Sequence, residues 1–396
     1  MHILIISLFL SWHTSELFGA DIGIGLGFGK SSRPYPDALT VLKNLGIRKI
    51  KTWSINPDWL YQAELIYGKG NVDVTVAIPN SDLWKMYNDL NYKNWVLGQV
   101  KRYQGIIKLI AIGNEPFHED NRALAMPHLL PAFNSMVKLL NDNGLKERIK
   151  VTVPFSAVVL INTYPVENTV FHPDVIGVMR DIVNTIKNTG SVFSINIYPY
   201  FTYIGDNNIP LNFALGKDKS LFEAMLLGCR EALKKIGAGS VPIIVGETGW
   251  PSKGGPKGTT IENAKLYTQH ILRFATTNTI ADSIYIFEAF DESEKPGSET
   301  EKNFGIGYEN RQLKFPFEFK SVAAPCTVWG WRFYDFYDIV ENDIGNKHAG
   351  HRNDCQPLCK SLTGCKGYSW FNNVCYFKGG ANTFKPNGAV YSALLC

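Results

Sequence analysis

No Asn-x-Ser/Thr triplet occurs anywhere in the 396 residues, so N-linked glycosylation is not expected. Blocks of like charge are missing as well: 33 basic face 31 acidic residues in 1 to 320, and 7 face 5 in 321 to 396. A net charge of +4 spread that evenly argues against a nucleic-acid partner. Long apolar runs are absent. ILIISLFL at 3 to 10 is too short to span a bilayer, and no later stretch could act as a membrane anchor. Followed by polar residues and the small pair Gly19-Ala20, it suits a secretory signal peptide over 1 to 20, although Met1 and His2 bring no Lys or Arg. The mature chain therefore reads as a soluble, exported protein, extracellular or in a cell wall. No nucleotide loop is found either: GLGFGKSS at 25 to 32 lacks the spacing and runs into Arg33-Pro34-Tyr35-Pro36, which breaks a helix rather than starting one.

Cysteine is nearly absent until residue 326. Only Cys229 precedes it, in the helix-like LFEAMLLGCREALKK, where a buried thiol is the simplest reading. The other six, Cys326, Cys355, Cys359, Cys365, Cys375 and Cys396, crowd into the last 71 residues. An even set in a short tail reads as a disulfide framework made in an oxidising compartment. Zinc is the rival reading, but the tail has no neat pair of two-residue-spaced cysteines and only His348 and His351 to complement them.

With 45% hydrophobic residues, the chain can bury one large core and a small one. Eight strand-like runs recur: 21 to 28, 47 to 53, 73 to 79, 109 to 115, 150 to 156, 192 to 199, 241 to 247 and 283 to 290. Segments of helical periodicity lie between them, several stopped by Gly or Asn. Strand and helix alternating eight times implies a parallel sheet closed into a (β/α)8 TIM barrel. The stretch 310 to 326, NRQLKFPFEFKSVAAPC, is the expected boundary before an aromatic, Gly-punctuated tail.

In such a barrel functional side chains sit where strands end at one rim. Trp53, Asn114, Glu115, Tyr198, Glu247 and Trp250 hold such positions. Two of them are carboxylates closing apolar runs, Glu115 in LIAIGNE and Glu247 in VPIIVGETGW. Glycoside hydrolysis needs such a pair: one carboxyl protonates the leaving oxygen, and the other meets the oxocarbenium-like carbon as charge or nucleophile. Two different environments let one residue type do both jobs. Capping of the following helix explains a single strand-terminal Glu equally well; two in matching contexts favour catalysis.

Together the runs AIGNE, SINIYPYF, IPLNFAL, VGETGWPSKG and FDESEKPGSETEKNFGI resemble family 17 of the glycoside hydrolases, the secreted β-1,3-glucanases, over about residues 21 to 315. That resemblance implies a retaining endo-β-1,3-glucanase with Glu115 as acid/base and Glu247 as nucleophile, its carboxyls about 5 to 5.5 Å apart. It also implies a supporting set, Glu292, Lys295 and Glu301, with Asn114 beside the acid; by composition DESEKPGSETEK would be only a solvated loop. Trp53, Tyr198, Tyr200, Phe201 and Trp250 are the aromatics expected to stack on sugar faces, each of which could instead pack in the core. Two departures bear on substrate preference: Trp53 stands where the family commonly has Tyr, and Gly246 where Ser often precedes the nucleophile. Neither metal nor organic cofactor is implied. Transglycosylation and a catalytically idle glucan-binding lectin are the alternatives.

The tail resembles a PAN/apple module, which divides the mature chain into a barrel over 21 to 318 and a disulfide-rich α+β domain over 326 to 396. That resemblance implies the bridges Cys326 to Cys396, Cys355 to Cys375 and Cys359 to Cys365, where six cysteines alone permit fifteen pairings. Such modules bind carbohydrate or protein.

Overall fold

The computed structural model describes residues 20–27, 35–316, 331–340, 343–349, 354–379 and 383–395, with only the backbone course given for 331–340 and 383–395. Residues 1–19 of the expected leader, and the part of the expected boundary 310 to 326 that begins at residue 317, lie outside them. All eight runs form strands: Asp21–Gly25, Lys49–Lys51, Asp73–Ile78, Ile107–Ile112, Lys150–Thr152 continuing as Pro154–Ser156, Phe193–Asn196, Ile243–Thr248 and Ala281–Ile286. Every neighbouring pair is parallel. The two ends of this sheet are the halves of the fifth strand. Lys150–Thr152 pairs with strand four and Pro154–Ser156 with strand six, so the sheet comes round on itself with one interruption at Val153.

Helices follow the first seven strands, the longest being Glu119–Asp142. Their starts are set locally. The side chains of Asn56, Asp89, Ser220 and Thr260 each accept from a backbone N–H in the first turn of the helix they precede, a group that turn cannot otherwise satisfy. Apolar stripes then pack the helices on the barrel: Ile50, Leu39, Trp59, Phe133 and Ile182 are almost fully buried between sheet and helix layer, each such side chain stabilising by about 1.5–3 kcal/mol. The eighth helix expected from the alternation is not formed among residues 287–316. The segment after strand eight instead folds back over the barrel end, where Gly307 bridges to both Phe290 and Leu313.

In the tail, Trp331–Val340, Thr383–Leu395, Gly367–Phe371, Val374–Lys378 and Asp343–His348 form an antiparallel sheet in that spatial order. The helix Cys355–Ser361 is joined to it by Cys355–Cys375, and Cys359–Cys365 closes the following turn. Cys326 and Cys396 lie outside the described residues. Cys229 is a buried free thiol in the helix Leu221–Lys235. Among the described residues no helix is long and apolar enough to cross a membrane, and no group of three or more His, Cys, Asp or Glu is arranged to hold a metal ion.

Candidate active site

Strand seven carries Glu247 into the barrel mouth from one wall, buried to 4% exposure. Burial alone would push its carboxyl up. Three donors outweigh that: from strand two and just past it, Lys51 Nζ at 2.7 Å and Trp53 Nε1 at 2.8 Å from Oε1, and from just past strand six, the Tyr198 hydroxyl at 2.8 Å from Oε2. The net result is a carboxyl held below its ordinary value, so it is ionised at neutral pH. Tyr198 is pushed well above its own ordinary value, first by burial and then by the Glu247 and Glu115 charges, and so remains an O–H donor.

Glu115 comes from the opposite side of the mouth, three residues beyond strand four rather than closing it. The chain gets there by a sharp turn in which Gly113 (φ 70°) and Glu115 (φ 47°) both adopt left-handed backbone conformations. Glycine suits the first position because a Cβ there would meet Asn80 Oδ1 at 2.6 Å. Asn80 fastens the turn: its Oδ1 accepts from Asn114 N at 3.0 Å and its Nδ2 donates to Asn114 O at 2.8 Å. Glu115 N donates to Pro154 O at 2.8 Å, which ties the turn to the fifth strand. The Glu115 side chain is half-buried and receives one neutral donor, Asn196 Nδ2 at 2.8 Å. Burial and the nearby Glu247 charge exceed what Asn196 and Lys51 take off, so its carboxyl is raised to about 7. Two glutamates facing one mouth are thus driven apart, one ionised and one protonated over the acid-to-neutral range.

Glu292, Lys295 and Glu301 are gathered at the same rim. Lys295 Nζ lies 3.5 Å from Glu301, whose charge acts in turn on Glu115. The five aromatics divide. Trp53 and Tyr198 bond the Glu247 carboxylate, and Phe201 is 40% exposed beside Tyr198 and Phe304. Tyr200 and Trp250 depart from expectation: at 0% and 2% exposure they present no face to a ligand. They meet edge-on at 5.2 Å, and Trp250 Nε1 donates to Gly258 O at 2.9 Å, so they fix the loop after strand seven. Aromatic residue type alone does not distinguish a sugar platform from a loop anchor.

Sequence reasoning passed over Lys51, Asn80, Asn196 and Glu288. A signal existed for Lys51, since a lysine inside an apolar barrel strand demands a buried counter-charge. Asn196, the last residue of a fully buried strand, gave the same kind of signal.

Residues 22–319 match the family model described as Glycosyl hydrolases family 17. The glucan endo-1,3-beta-glucosidase of Vitis vinifera is 31% identical to this chain over 319 residues, covering 75% of this chain and 91% of that protein. Among solved structures, CJP38, a beta-1,3-glucanase and allergen of Cryptomeria japonica pollen, superposes with a TM-score of 0.71 at 28% identity, across 76% of this chain and 99% of that one. A plant beta-glucan endohydrolase, one of two with distinct substrate specificities, does so with a TM-score of 0.67 at 26% identity, across 75% and 100%. The matched stretch takes in the barrel strands, both glutamates and the rim that joins them: the chain belongs to family 17 of the glycosyl hydrolases.

Proposed function

We propose that the protein is a secreted, retaining endo-β-1,3-glucanase acting by double displacement. Glu247 attacks the anomeric carbon while Glu115 protonates the departing oxygen; Glu115, now a base, then activates the water that releases the glycosyl group. The observation that carries this reading is the opposed state of the two glutamates, with Lys51, Trp53 and Tyr198 converging on Glu247 while Glu115 has only Asn196. The names of the relatives from Vitis vinifera and Cryptomeria japonica supply the β-1,3 linkage. Two buried acceptors, Asn114 Oδ1 and Asn196 Oδ1, have no partner among the described residues, and sugar hydroxyls would satisfy both.

On this reading the carboxyls stand about 5 to 5.5 Å apart, the spacing of retaining enzymes. Phe201 offers a ring to a sugar face, and Glu292, Lys295 and Glu301 bind hydroxyls. The tail, read as a PAN/apple-like module over 326 to 396 with a third bridge Cys326 to Cys396, holds the enzyme on wall carbohydrate.

The test is sugar release from laminarin and lichenan by wild type and Glu247→Ala, with the first-formed anomer followed by NMR. Wild type should cleave laminarin to β-configured ends and the variant should not. Binding without release by either protein would leave a lectin, an α-anomer first would indicate inversion, and products longer than the starting chain would indicate transglycosylation.

A further inference from the structure

Glu288, two residues past strand eight, is a buried carboxyl with no part in the displacement itself. It is 1% exposed, and no N–H or O–H donor among the described residues bonds either oxygen. The Lys295 ammonium lies 3.8 Å from Oε1, near enough to act by charge but beyond hydrogen-bond length. Its main chain is pinned on both sides, Glu288 N to Phe304 O at 3.3 Å and Ile306 N to Glu288 O at 2.9 Å.

The group it meets is the Glu292 carboxyl. Two carboxylates repel each other; the contact becomes a hydrogen bond only with a proton on one of them. The charges around Glu288 are Lys295 and Glu292 on the following loop, Glu247 on strand seven and Lys314 on the returning segment. Burial, aided by the Glu292 and Glu247 charges, prevails over Lys295 and pushes Glu288 well above its ordinary value. The proton therefore belongs to Glu288.

Its location gives that proton a use. The preceding residue, Phe287, packs edge-on against Trp53 at 5.4 Å and Tyr198 at 5.9 Å, the two rings that donate to Glu247. Lys295 Nζ lies 4.2 Å from the centre of the same Phe287 ring. We propose that Glu288 is a positioning residue: as a neutral acid it donates a hydrogen bond to Glu292 and so holds the row Glu292, Lys295 and Glu301 against the cleft wall that carries Glu247. An ionised Glu288 would instead compete with Glu301 for Lys295. The inference rests on reading Glu115 and Glu247 as the catalytic pair.

Glu288→Gln supplies a neutral amide donor of the same shape, whereas Glu288→Ala removes the donor. With laminari-oligosaccharides, Glu288→Ala should raise KM on the order of tenfold, with a smaller loss in kcat, as expected for one lost hydrogen bond to a charged group. Glu288→Gln should restore KM to within about twofold of wild type and leave the alkaline limb of the pH profile in place, because neutral replaces neutral. The infrared spectrum of the wild type at neutral pH should contain one protonated-carboxyl band more than that of Glu288→Gln, the contribution of Glu115 being common to both. A Gln variant as impaired as Ala, unable to fold, or shifted in its alkaline limb would overturn the proposal, as would an unchanged infrared band. The infrared arm decides even if wild type hydrolyses nothing, an outcome that would count against the catalytic reading alone.

Discussion

Lys51→Met keeps the aliphatic stem and deletes only the ammonium, which makes it the sharpest probe of how Glu247 is kept charged. Lys51 Nζ sits 2.7 Å from Glu247 Oε1, with the side chains 2% and 6% exposed, so water cannot replace the lost partner. Removing one member of a buried pair costs about 3–5 kcal/mol. At roughly 2 °C per kcal/mol for a large domain, Tm should fall about 6–10 °C at neutral pH. The sign follows from the direction of the Glu247 shift. Its folded-state value is depressed, so the stabilisation is present above the unfolded carboxyl's titration range and is lost as pH falls through the folded value. The Tm deficit should therefore be largest near neutrality and shrink in acid. Kinetically, burial now pushes Glu247 up against Trp53 and Tyr198 alone, moving the acidic limb to higher pH. Lys51 also lowers Glu115, so the alkaline limb should move the same way and the whole bell should be displaced. The measurements are Tm and kcat/KM on soluble β-1,3-glucan from about pH 3 to about pH 9. An unchanged Tm at neutral pH, or limbs that move in opposite directions, would refute the reasoning.

Three further outcomes are expected. Asn196→Ala removes the donor that lowers Glu115, so the alkaline limb should rise while the acidic limb, set by Glu247, stays in place; kcat/KM profiles decide. Glu115→Gln should lower turnover about 10²–10⁴-fold, the usual worth of a general acid. Because Glu115 is raised to about 7, its folded form holds a proton that the unfolded chain releases, and stability drains away as pH climbs from the carboxyl range towards that value. The Gln variant should accordingly gain Tm over wild type near pH 8 but not near pH 4, and an equal difference at both would contradict this. Cys355→Ser with Cys375→Ser opens a loop of 20 residues and should cost the tail about 3 kcal/mol, lowering retention on insoluble glucan without changing kcat on soluble oligosaccharide.

Much of the site was legible because barrel geometry converts strand order into position. Once eight runs were counted, Glu115 and Glu247 had to face one mouth, whatever the details of packing. The missed residues failed for a different reason. Lys51 and Asn196 lie inside runs read as strands, and the signal each carried, a polar side chain among apolar neighbours, gains its meaning only when the closed sheet turns it inward. Glu288 was hidden in the run 283 to 290, since the strand stops at Ile286 and the chain then leaves the sheet. The opposite error befell Tyr200 and Trp250, whose rings satisfy packing and sugar binding on the same terms; only their neighbours decide. That no eighth helix forms among residues 287–316 had no local signature, because the loop there is held by long-range contacts such as Lys314 Nζ to Asp291 Oδ1 at 2.6 Å.

Glu115 holds φ at 47°, a conformation that costs an ordinary side chain about 1–3 kcal/mol and glycine almost nothing. Foldability and turnover therefore pull against each other at this one position. A library sorted only for thermal endurance should enrich Glu115→Gly, and a lineage released from the need to digest anything should lose this glutamate before it loses the barrel.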